Sequence, residues 1–136
     1  FARAANVLER YRVAVAGEDP VARNVASRMW NIASATTEDS GMMLCDNDIP
    51  ENVDLVLEIA SNELPEDATP RATIALYECH NLSQRIRTAK EAATQKPARI
   101  RIELTGMTQY NGTFTTSDAQ TIAVRLLDGV CDALAD

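Results

Sequence analysis

The chain has 136 residues, 46% of them hydrophobic, and carries a net charge of −7. That length suits one domain whose core needs no staples, and no run of about 18 apolar residues is present to span a bilayer. Three scattered cysteines (Cys45, Cys79, Cys131) and the single His80 fall short of the roughly four clustered ligands of a structural zinc site, so neither metal nor cofactor is expected.

In chain order, Ala4, Val7, Leu8, Tyr11, Ala14 and Val15 recur at helical spacing and predict a helix over 2–16. Gly17 is its expected stop. Asp19-Pro20 reads as an N-cap followed by a first-turn proline. The helix it opens runs to about residue 34, with Val21, Val25, Met29 and Ala33 on one face. Trp30, the sole tryptophan, is expected to anchor the core. Residues 35–49 read as a polar loop plugged by Met42, Met43 and Leu44. The acids that follow touch a calcium-loop pattern but break it. Pro50 holds the fifth position, the sixth lacks glycine, and Leu57 stands where a bidentate Glu is required.

Residues 50–64 fit two patterns. Val53, Leu55, Leu57 and Ile59 alternate as in a strand, whereas Val53, Val56, Leu57, Ala60 and Leu64 fit a helix. The length between Pro50 and Pro65, with Glu51 in the first turn, favours the helix. Thr69-Pro70 opens a further helix over 70–95, whose seam Ala68, Ala72, Ala75, Cys79, Leu82, Ile86, Ala89 and Ala93 follows a heptad rhythm.

The period then changes. Ile100, Ile102 and Leu104 alternate with Arg99, Arg101 and Glu103, the pattern of a half-buried strand. Asn111-Gly112 is a strong hairpin signal, so residues 99–116 are expected to form a small antiparallel meander. A phosphate loop is excluded there, because no Lys-Ser/Thr pair follows Gly112. Ser117 and Gln120 make a capping box for a last helix over 117–135. The expected fold is mainly α, a single domain over 1–136 built as a five-helix bundle with the meander before the last helix.

Charge is laid out in blocks. Residues 29–70 hold ten acids and no Lys or Arg, while residues 71–101 hold seven basic residues and two acids. The expected contact surfaces are therefore an acidic one over 38–67 and a basic one over 85–101. The residues assigned to partner binding are Arg85, Arg87, Lys90, Arg99 and Arg101, with Asp128, Asp132 and Asp136. These three aspartates sit four apart near the negative end of the last helix, where like charges repel and cations are preferred.

The function this layout suggests is non-enzymatic: a protein–protein interaction or assembly domain that meets a protein partner or another copy of itself. Such a domain would belong to a larger complex, a secreted effector or a viral particle. A second reading is a viral or nucleoprotein subunit whose arginines hold nucleic-acid phosphates. The acidic total and the lack of aromatics among the basic residues stand against it. A third is a small enzyme using His80. Cys79 and His80 are adjacent, so on a helix their side chains diverge by about 100°, and no catalytic residue is assigned.

Overall fold

The computed structural model describes residues 2–46, 48–62, 81–93, 97–105 and 116–135. Its elements are α1 (Ala2–Arg10), β1 (Val13–Gly17), α2 (Pro20–Thr36), β2 (Met42–Cys45) and β3 (Leu55–Asn62), followed by α3 (Leu82–Ala92), β4 (Ala98–Thr105) and α4 (Thr116–Leu134). The four strands make one sheet in the order β2-β1-β3-β4, and every pairing in it is parallel. The protein is thus an α/β fold. The expected five-helix bundle with an antiparallel meander is wrong, and so is the description of the molecule as a helical bundle.

Three segments carry the error. Residues 11–16 complete no helix: α1 ends at Arg10 and the chain re-enters as β1. Val13, Ala14, Val15 and Ala16 are all at most 7% exposed, so this strand is covered on both faces. Such a strand shows no polar alternation, and its apolar residues satisfy a helical template equally well. β3 does alternate, but Val56 is buried along with Leu55, Leu57 and Ile59, and that extra apolar residue also satisfies the helical template that the length from Pro50 to Pro65 favours. The apolar plug at Met42–Cys45 is a strand of four residues, too short to show a period.

The last strand lies where the alternation placed it, but it pairs parallel with β3 from Leu55↔Ala98 to Asn62↔Thr105. The rest of the expected meander, 106–115, lies outside the described residues, as do 63–80 with the first half of the expected 70–95 helix. The second and last helices stand close to their expected bounds.

The main core lies on one face of the sheet. Val13 and Val15 of β1, Leu55, Leu57 and Ile59 of β3, and Ile100, Ile102 and Leu104 of β4 meet residues from all four described helices. Leu8, Met29, Leu82, Ile86 and Leu126 are among the largest side chains fully buried there, each worth about 1.5–3 kcal/mol over exposure. Across that face, α2 packs on β1, β2 and β3, α3 packs on β4, and α4 contacts both α2 and α3. On the opposite face Ala14, Val53 and Val56 form a smaller cluster with Met43, Cys45 and Ile49 beside it, and no described helix contributes to it.

Candidate interaction surface

The strand order reverses between β1 and β3, and ligands of open α/β sheets commonly bind beyond the carboxyl ends of the strands at such a point. Here groups of the chain itself meet at that point. Gly17 ends β1, and a Cβ on it would lie 2.4 Å from the backbone nitrogen of Arg23, so only glycine lets β1 turn this closely into α2. Asp19 caps α2 by accepting from the Ala22 amide at 2.9 Å. The same carboxylate accepts from the Ser61 amide at 2.7 Å and from the Ser61 hydroxyl at 2.6 Å. A carboxylate therefore stands at the helix N-terminus where a phosphate would bind.

The electrostatics agree. Burial alone would raise the Asp19 carboxyl, but the Ser61 hydroxyl and the amides of Ser61, Ala22 and Val21 hold it below the usual carboxylate range. Next to it, the hydrogen bond from Arg101 holds Glu18 below its ordinary value. The arrangement ties α2 to the end of β3.

The arginines assigned to partner binding have groups of this chain beside them. Arg101 pairs with Glu18 and, at 3.1 Å, with Glu103. Arg99 reaches Glu58 at 3.3 Å, across the Val56↔Arg99 and Glu58↔Arg101 register of neighbouring strands. Arg87 donates to Asp132 Oδ2 at 3.0 Å, so two residues expected to seek outside partners meet each other. Arg85 donates to the carbonyl of Arg101. Lys90 stands 5.4 Å over the Tyr11 ring. Asp128 is exposed on α4, and Asp136 and His80 lie outside the described residues. The structure brings Arg87 with Asp132 and Arg85 with Arg101 together.

The arginine contacts also explain one sheet edge. The Ala98 amide donates to the Asp54 carbonyl at 3.2 Å. Backbone groups alternate sides along a strand, so Arg99, Arg101 and Glu103 turn theirs away from β3. On that outer edge Arg85 covers the Arg101 carbonyl.

The opposite edge is different. The Val13 amide donates to the Gly41 carbonyl at 3.1 Å, and the Met42 amide donates to Ser40 Oγ at 3.2 Å. Gly41, Met43 and Cys45 therefore face β1, and Met42 and Leu44 turn their N–H and C=O groups outward. Among the described residues no strand pairs with this outer side of β2.

Two large apolar side chains border that edge, and sequence reasoning missed both. Leu44 of β2 is 45% exposed. Trp30, expected in the core, is 39% exposed. Helical geometry places it: Arg28 reaches Gln120 of α4 and so marks the α4 side of α2. At about 100° per residue Trp30 lies on the other flank, the one toward β2. Glu38 and Asp39 before β2, and Asp46, Asp48 and Glu51 after it, are all exposed. Arg12, whose guanidinium leans on Met43 Sδ at 3.8 Å, and Arg23, on the Trp30 flank of α2, partly offset this field. The acidic run was legible in the sequence; an isolated Met-Met-Leu-Cys was not, because four apolar residues give no hint of which is outward.

Among the described residues no helix is long and apolar enough to cross a membrane, and no group of His, Cys, Asp and Glu is arranged to hold a metal ion. Comparisons with protein-family models, with curated proteins and with solved structures find no match to this chain.

Proposed function

We propose that this domain acts without catalysis, as a protein–protein interaction or assembly module, and that its contact surface is the acidic flank around β2. The observation that carries the reading is the pairing of exposed Trp30 and Leu44 with an acid-rich rim. Aromatic anchors ringed by polar groups are what interfaces are built around. Clustered acids steer a basic partner and set its register more than they add affinity. The arginines enter this reading as internal counter-charges. Their engagement with Glu18, Glu58, Glu103 and Asp132 leaves less positive field for a nucleic-acid backbone.

Capture from a native extract tests this, with three proteins compared side by side. One is the wild type. The second carries Glu38→Lys, Asp39→Lys, Asp46→Lys and Asp48→Lys. The third carries Arg87→Gln and Arg99→Gln. Partners confirmed by reconstitution from purified components are expected to bind the wild type and the arginine variant and to be lost from the acid-reversed one. Loss from the arginine variant alone would place the contact on the other side of the molecule.

A further inference from the structure

We infer that the outer edge of β2 takes up an extended, basic segment of a partner protein as a fifth strand. The strand addition rests on the acidic flank being the contact surface and adds to it the mode of contact. Three backbone groups are set outward in sequence, the Met42 carbonyl and the Leu44 amide and carbonyl. Those of Met43 and Cys45 are committed to β1. Such a row is a template for another chain.

Native sheets cover or charge their edges, and this molecule does so on the β4 side, where Arg85 covers Arg101. On the β2 side it places an exposed leucine instead. An added strand would lay alternate side chains beside Leu44 and Trp30 on the helix face, and the intervening ones beside Met43 and Cys45.

The charge pattern selects the occupant. A second copy related by a two-fold axis would run antiparallel along β2. It would bring Glu38 and Asp39 of one copy beside Asp46 and Asp48 of the other, acid against acid. A segment carrying Lys or Arg at alternate positions meets complementary charge at both ends of the strand.

A peptide of about eight residues, alternating Lys and Val and bearing a neutral fluorophore, is the probe. Its anisotropy is followed with wild-type protein, with the acid-reversed protein described above, and with Leu44→Pro. Proline removes the outward N–H without removing a bond to β1. Two further peptides are N-methylated at every second residue, one in each register, and need no change in the protein. Binding of the plain peptide is expected to weaken at least about tenfold with one N-methylated register, and likewise with Leu44→Pro. Deuterium uptake at Met42–Cys45 should slow when the plain peptide is bound.

Equal affinity for all three peptides, or no binding of the plain peptide, overturns strand addition. If equal binding persists but is lost on acid reversal, the acidic flank survives as a contact surface reached in another way. If the acid-reversed protein binds as well as the wild type, the flank itself is wrong.

Discussion

Replacing Asp19 with alanine removes at once the acceptor for the α2 cap and for both bonds from Ser61. Loss of a cap alone costs about 0.5–2 kcal/mol, and the stranded Ser61 amide adds to it. Urea unfolding at neutral pH should show a loss of about 2 kcal/mol or more. The pH dependence has a definite sign. The folded carboxyl is held below its unfolded value, so its contribution is complete above the unfolded pKa of about 4. It is lost as pH falls through the lower folded value. The gap in stability between wild type and Asp19→Ala should stay level down to about pH 4 and shrink below it. A constant gap through that window would mean that the ionised carboxylate is not what holds β3 to α2. Asp19-Pro20 was legible as a cap because capping is local chemistry. Its second bond, to a serine in another strand, was not, because nothing in the spacing reveals which loops share a crevice.

Among the elements, the two edge strands behave as opposites. On β4, Arg85 reaches over from α3 to the Arg101 carbonyl. Arg85→Ala should lower stability only slightly, by about 1 kcal/mol at most. It should also raise self-association at high protein concentration, measured by light scattering, because it uncovers an edge. An unchanged scattering profile would show that Arg85 does not protect it. The helices that carry one apolar stripe, α2 and α4, could be read from sequence, since solvent on one side and core on the other print a period into the residues. β1, covered on both faces, could not, since that burial erases the period; β3 keeps its alternation, but Val56 and Ala60 on its other face let a helical template fit the same residues. For β4 the alternation named the element and its inward residues Ile100, Ile102 and Leu104. It could not name the direction of pairing, which depends on where the chain has been between strands.

Taken whole, the molecule carries its opposite charges in an uneven arrangement: the described arginines of α3 and β4 face carboxylates and carbonyls of their own chain, and the acids flanking β2 stand at the surface. Sequence showed the blocks but not their partners, because Glu18 and Arg101, or Arg87 and Asp132, are far apart along the chain and meet only through the sheet and the helix pair. Trp30 links this layout to recognition. Trp30→Ala should cost about 1 kcal/mol of stability, well short of the 3–5 typical of a buried tryptophan. The loss in affinity for a reconstituted partner should reach about 2 kcal/mol or more. A variant that loses stability heavily and leaves partner affinity untouched would return Trp30 to a core role.

The charge arrangement is open to direct measurement by comparing how cationic and anionic nitroxide probes relax the backbone amide protons of the free protein. Enrichment of the cationic probe over residues 38–51, with no excess of the anionic probe over 85–101, is the result expected here. An anionic probe concentrated over Arg85, Arg87, Arg99 and Arg101 would contradict it, since those guanidinium groups would then project a field that their own carboxylates fail to cancel.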